Sequence, residues 1–290
     1  MSEVIHSFNI SRAMKYNSKS TYDLSLLKQK DRSSEAFAWE ILALQKEMKF
    51  EPWEQDGKFG NQTYLALLAL RNPVNSDYVL YQGSRIPIPV SKDYRLVTFD
   101  EADGLDLHKF GNFSKRTIEP YAVCMHWGGL DPRHCYNVFA SGSRSVSSHF
   151  LIGLDPDPVV YQVLDLKHRA WHGGWINDDT IGIDVCQSPL RQWKDHYLKK
   201  GYDVKDLENP TTRGPKRLIT LDSRIAIATD SFVTDLLEAL DWDFITPPDH
   251  DVRKNITDFT VFGHHHVNER KYDIAPWWDD IFGDFDEAIV

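Results

Sequence analysis

Tyr121-Ala122-Val123-Cys124-Met125-His126-Trp127-Gly128-Gly129 is an apolar run that ends on a histidine and breaks at two glycines. Side chains alternate across a strand, so Val123 and Met125 share one face while Cys124 and His126 share the other. His126 therefore stands at a strand end, just ahead of a turn. Outward from this stretch, β-type runs recur at His149 to Leu154, Val159 to Leu164, Thr180 to Cys186 and Phe259 to Phe262, and a helical pattern covers about Ser223 to Leu240. This mixture predicts an α/β domain. In Thr180-Ile181-Gly182-Ile183-Asp184-Val185-Cys186 the same alternation sends Ile181, Ile183 and Val185 to the core side and Gly182, Asp184 and Cys186 to the other.

A second strand runs into three histidines in Val261-Phe262-Gly263-His264-His265-His266-Val267, and Asp273 follows nine positions after His264. Two histidines and one carboxylate suffice to hold a catalytic zinc with a fourth position left to water, whereas a closed structural site needs a further ligand. His126 and His264 lie 138 positions apart, so spacing alone does not bring them together. Cys124 and Cys186 point to the same sheet face as His126 and Asp184 and read as buried thiols.

Residues 1–22 are polar and patternless and read as a weakly ordered lead. Ser34 is a candidate N-cap for a helix in which Phe37, Ile41, Leu44, Gln45 and Met48 recur at spacings of three and four. A loop through Pro52 and Gly57 leads to a second helix from Asn61, carrying Leu65 and Leu68 and stopped at Asn72-Pro73. Residues 23–85 thus form a small helical domain, and the proline-punctuated 86–95 reads as a linker, with the boundary near residue 95 and the α/β domain over 96–290. Within it, 188–218 is polar and carries Pro189, Pro210 and Pro215: a lid or binding surface, or a tolerated insertion.

Composition narrows the function. The 290 residues are 41% hydrophobic and 12% aromatic, enough for a packed core, and no run approaches the length of a membrane span. The start, Met1-Ser2-Glu3-Val4, shows no secretory signal pattern. A formal charge of −10 without a Lys/Arg block argues against nucleic-acid binding. Three cysteines without a Cys-x-x-Cys pair fit neither a disulfide scaffold nor a cysteine-rich zinc module, and indicate a reducing compartment.

Five blocks in order, His126-Trp127-Gly128-Gly129, Val146 to Ile152, Ala170-Trp171-His172-Gly173-Gly174, Thr180 to Val185, and Gly263-His264 with Arg270-Lys271-Tyr272-Asp273, resemble the zinc-dependent N-acetylmuramoyl-L-alanine amidases of the type 2 family. That family shares its fold with the peptidoglycan recognition proteins, and the resemblance covers residues 115 to 280. It implies a central mixed β-sheet flanked by helices, a Zn²⁺ cofactor, and His126, His264 and Asp273 as its ligands. It further implies Asp184 as catalytic acid/base, Lys271 as a charge near the metal, and Trp127, His149, Trp171 and His172 on the substrate side; Trp175 is a further candidate to stack on sugar or peptide. The chain departs from the family where His266 replaces an Asp and where Ile274-Ala275-Pro276 replaces Pro-Gly after the last ligand, so His265 rivals His264.

The segment Asp56-Gly57-Lys58-Phe59-Gly60-Asn61-Gln62-Thr63 resembles the small three-helix, all-α peptidoglycan-binding domain appended to many wall hydrolases. Together these imply a phage endolysin-like, monomeric hydrolase of peptidoglycan that cuts between N-acetylmuramic acid and L-alanine. Without a signal peptide it would be cytoplasmic in the producing cell and reach the wall by holin-type or other export. A non-catalytic peptidoglycan recognition protein and a cytosolic muropeptide-recycling amidase are the alternatives.

Overall fold

The structure, a computed structural model, describes residues 10–19, 27–47, 55–59, 63, 75–89 and 91–283. The chain forms two compact units, 1–74 and 75–290. The break thus falls about twenty residues before the expected boundary near 95, because residues of the expected linker are part of the second unit: Ser84–Pro87 pairs with Tyr78–Tyr81 as a hairpin.

In the first unit the described helices are α1 (Ile10–Asn17) and α2 (Glu35–Glu47). The lead expected to be weakly ordered therefore contains a helix. Its last residue, Asn17, is buried, donates to the Gly57 carbonyl at 2.9 Å and accepts from the Phe59 amide at 2.7 Å. Ser34 caps α2 through its hydroxyl, which accepts from the Phe37 amide at 3.1 Å. The buried Gln45 accepts from the Gly57 amide at 2.8 Å and donates to Asp56 Oδ1, the Lys58 carbonyl and Thr63 Oγ1. Phe59 is buried edge-on to Phe37 at 5.8 Å. Most of the helix expected from Asn61 lies outside the described residues.

The second unit contains the strands β1 (Tyr78–Tyr81), β2 (Ser84–Pro87), β3 (Arg95–Thr98), β4 (Phe113–Lys115), β5 (Ala122–Trp127) and β6 (Phe150–Leu154). These are followed by β7 (Pro158–Gln162), β8 (His168–Ala170), β9 (Thr180–Val185), β10 (Asp206–Glu208), β11 (Arg217–Ile219) and β12 (Val261–Gly263). Six of them form a mixed sheet in the order β12-β5-β9-β6-β7-β3, the first four mutually parallel. The expected excursion 188–218 holds the small hairpin β10–β11.

Helices cover both faces of the sheet. The Val123, Met125, Ile181 and Ile183 face packs with α5 (Ser223–Ala239), the alternation expected from sequence, and Phe150 meets Phe232 of this helix at 4.8 Å. Truncating so buried a ring costs about 3–5 kcal/mol, so Phe232→Ala would be a severe lesion of this layer. On the other face Leu151, Tyr161 and Cys186 pack with Cys135 and Phe139 of α3 (Pro132–Ala140), whose N-cap Asp131 accepts from the His134 amide at 2.7 Å. The short helices α4 (Lys194–Lys199) and α6 (Trp278–Phe282) complete the unit.

Candidate metal centre and active site

Strand register brings distant residues into one row. Gly263 of β12 stands opposite Met125 of β5, so the next residue on each chain, His264 and His126, are neighbours. His126 in turn stands opposite Asp184 of β9. His264, His126 and Asp184 therefore line up at the carboxyl ends of three adjacent parallel strands, where open α/β sheets place their ligands. Asp273 joins them from the loop after the turn His264–His266. All four side chains are nearly buried.

The ligand-capable atoms converge. His264 Nδ1 lies 3.2 Å and His126 Nδ1 3.7 Å from Asp273 Oδ2, and the two rings meet at 4.7 Å. Ligands about 2.0–2.1 Å from a tetrahedral zinc stand about 3.3 Å from one another, so these separations fit the ion. Burial works against the charged carboxylate of Asp273, but His126 and His264 outweigh it and hold the group well below the usual carboxylate range. Burial drives His264 down, leaving a neutral imidazole beside a carboxylate. Burial also opposes charge on His126, yet Cys124, Asp273 and Asp184 push it up to about 10. A cation entering here would displace that proton.

His264, not its rival His265, shares this cluster. His265 Nδ1 instead donates to the main-chain carbonyl of Asp273 at 2.9 Å. Gly263 makes room for it: a Cβ there would lie 2.5 Å from His265 Nδ1 and 2.6 Å from Ile274 Cγ2. Ile274 itself sits at φ +60°, a rare conformation for a β-branched residue that costs on the order of 1–3 kcal/mol. Its buried side chain and the His265 bond hold the turn that presents Asp273.

Asp184 has its carboxyl pushed up by burial, an effect that His126 and the nearby buried Ser148 hydroxyl offset in part. Lys271 Nζ reaches within 3.8 Å of Asp273 Oδ2 from a half-exposed position.

Residues 104–207 match the family model of N-acetylmuramoyl-L-alanine amidases, a span that holds His126 and Asp184 and stops short of His264 and Asp273. Over this segment the chain is similar to those amidases. Similar solved structures include a mutant endolysin from Bacillus subtilis, 14% identical over 65% of this chain and 96% of that one with a TM-score of 0.40. PlyL is 15% identical over 63% and 86%, with a TM-score of 0.37, and the catalytic domain of XlyA is 14% identical over 64% and 96%, with a TM-score of 0.38. None of the curated proteins matches the chain.

Other residues expected at the substrate side fall into two groups. Trp127 and Trp171 are half-buried and Trp175 is exposed, so all three present ring surface. His149 is a correction: it is fully buried, Nδ1 accepts from the Gly182 amide at 2.9 Å and Nε2 meets the His168 carbonyl at 3.0 Å, which leaves no atom for a substrate. Burial first, then the neighbouring Arg116, drives it down to about 3, so it is neutral. His172 likewise has both ring nitrogens engaged, with His126 Nε2 at 3.0 Å and Thr180 Oγ1 at 3.4 Å.

The excursion 188–218 is tied to the turn His264–His266 and the loop after it. Arg213 donates to the carbonyls of His265 at 2.7 Å, Asn268 at 3.3 Å and His250 at 3.0 Å. Gly214, at φ +76°, leaves space for the Tyr272 ring, which a Cβ would meet at 2.3 Å. Neither Arg213 nor Ser148 carries a signal in the sequence: one is an arginine among many in a polar loop, the other a serine within a strand-like block. Among the described residues no helix is long and apolar enough to cross a membrane.

Proposed function

We propose that the amidase domain hydrolyses the amide between the lactyl group of N-acetylmuramic acid and L-alanine in peptidoglycan, using a zinc ion held by His126 Nδ1, His264 Nδ1 and Asp273. The convergence of those two nitrogens on Asp273 Oδ2, at 3.7 and 3.2 Å, is the observation that supports it most. Two neutral imidazoles and one carboxylate match the donor set of catalytic zinc sites that keep a position open. Bound zinc supplies Lewis acidity, polarising the scissile carbonyl and acidifying water.

The remaining steps belong to the chain's own side chains. A carboxylate oxygen of Asp184 takes the proton of the attacking water and returns it to the amine nitrogen that leaves. The upward push that burial gives this carboxyl makes it a stronger base than an ordinary Asp. The Lys271 ammonium faces the oxyanion that develops on the carbonyl, a contact that gains strength as the transition state forms. Trp127 and Trp171 offer half-buried rings against which sugar or peptide stacks.

The first unit is assigned to wall binding on its sequence resemblance, and the two together to cell-wall lysis. Since Gln45, Asp56, Gly57 and Phe59 are engaged inside that unit, its motif serves the loop's shape, and contacts to peptidoglycan fall to other surfaces.

Purified protein incubated with murein should release free stem peptides beginning with L-alanine, identified by mass spectrometry. Chelation should stop the release and added zinc restore it. Hydrolysis that persists after exhaustive metal removal, or cleavage at a glycosidic or interpeptide bond, overturns the reading.

A further inference from the structure

We infer that His172 is a positioning residue: a directed hydrogen-bond chain from His126 through His172 and Thr180 to the Ile176 carbonyl keeps a proton on His126 Nε2 and leaves His126 Nδ1 as the atom offered to a cation. The inference rests on the reading above in one respect, that His126 Nδ1 is a metal ligand.

The direction of the chain follows from counting protons. A carbonyl only accepts, so the single hydroxyl proton of Thr180 lies along its 2.8 Å bond to the Ile176 oxygen. The Thr180 oxygen can then only accept, and its partner at 3.4 Å, His172 Nε2, is an N–H. A neutral imidazole carries one ring proton, so His172 Nδ1 is bare. Its neighbour at 3.0 Å, His126 Nε2, must therefore donate. This holds whether His126 is neutral or charged, because the two forms differ only at Nδ1.

Independent contacts fix the His172 ring in this pose. Its backbone amide and that of Gly173 both donate to Asn177 Oδ1, at 3.1 and 2.6 Å. The ring lies over Gly182, where a Cβ would come within 2.7 Å of its Cδ2 and Cγ. Thr180 and Gly182 of β9 thus seat His172 from the same strand that carries Asp184. Outer partners of this kind orient metal-binding histidines and raise their basicity.

Three full-length variants test this in metal-depleted protein by zinc titration against a chromophoric chelator. His172→Phe, which keeps ring bulk without an acceptor, should weaken zinc binding roughly 10- to 100-fold. His172→Asn, whose amide oxygen can stand near the Nδ1 position, should restore affinity to within about threefold of the wild type, and Thr180→Val should cost about tenfold. Nitrogen-15 NMR of the metal-free wild type should find His172 protonated at Nε2 and bare at Nδ1. A folded His172→Phe with undiminished zinc affinity, or a His172 proton on Nδ1, overturns the inference. Should His172→Phe fail to fold, Thr180→Val and the NMR measurement decide. A wild type that binds no zinc would instead sink the metal reading, while the His172 tautomer, read without metal, would still be judged separately.

Discussion

Two histidine clusters share the turn His264–His266 and differ in where their ring nitrogens are spent. In the first, His264 Nδ1 and His126 Nδ1 face the carboxylate of Asp273. In the second, His250, His265 and His266 also come within metal-holding distance of one another, and their rings are packed as closely. Yet His265 donates to the Asp273 carbonyl and meets His250 Nδ1 at 3.2 Å, while His266 accepts from the Gly263 amide at 3.0 Å and meets the Asp249 carbonyl at 2.8 Å. Burial, the leading cause in each, drives His265 down to about 2 and His266 to about 3. In the first, two ring nitrogens face a shared carboxylate; in the second they are spent on main-chain groups and on one another. Proximity of histidines is thus a poor guide to metal binding until each lone pair has been traced.

The largest effect should come from exchanging the roles of adjacent residues. His264→Ala removes a ligand atom, and since a catalytic metal is worth several kcal/mol of transition-state stabilisation, hydrolysis should fall on the order of 10³-fold or more, with zinc lost on dialysis. His265→Ala leaves the Asp273 carbonyl without its donor, a cost of about 1–3 kcal/mol in stability, but zinc should still bind. Metal analysis and urea denaturation of the two variants check this. Zinc retained by His264→Ala and lost by His265→Ala would invert the comparison. Next in size is Asp184→Asn, which should lower turnover by about 10²- to 10⁴-fold with zinc content intact; an unchanged rate removes Asp184 from the chemistry.

How much of this was legible follows from what each residue depends on. His126 and Asp184 are readable because strand alternation is local: an apolar run ending at a glycine turn places the one, and Ile181, Ile183 and Val185 place the other. Their alignment with His264 depends on the pairing of β12 with β5 across 138 positions, a tertiary event. The choice between His264 and His265 depends on a tight turn shaped by Gly263 and Ile274, and no periodicity reports it. The helix α1 illustrates a weaker limit, since Ile10, Ala13 and Asn17 at spacings of three and four over two turns are too short a pattern to stand out from a polar lead. His149 and His172 carry the right residue type for a substrate surface, and only the traced hydrogen bonds show that their nitrogens are already engaged.

Acid should separate the saturated histidines from ordinary ones. His149 belongs with the second cluster in kind, buried with both nitrogens bonded and held near 3 against an ordinary value of about 6.5. Between those two values the unfolded chain binds a proton that the native state refuses, so stability rises with pH and falls on acidification. From pH 6.5 to 5 the loss for one such group is about 1.6 kcal/mol. Urea midpoints measured across this range should decline, and the His149 ring signals should not titrate above pH 4. A His149 that titrates near 6.5 would place it among solvated histidines and dissolve the distinction.

The smallest expected effect concerns the strap that braces both clusters. Arg213 reaches the carbonyls of His250 and His265, which belong to the second cluster, and of Asn268, on the way from His264 to Asp273. A planar guanidinium can serve several carbonyls at once, whereas a lysine ammonium on a flexible stem cannot reproduce that fork. Arg213→Lys should therefore cost about 1–2 kcal/mol in stability, measured by denaturant midpoint. It should leave zinc affinity nearly unchanged, because His126, His264 and Asp273 are positioned by strand pairing and the Ile274 turn. A large loss of zinc affinity with little loss of stability would mean that the excursion 188–218 shapes the metal centre directly, and that the two clusters are one mechanical unit.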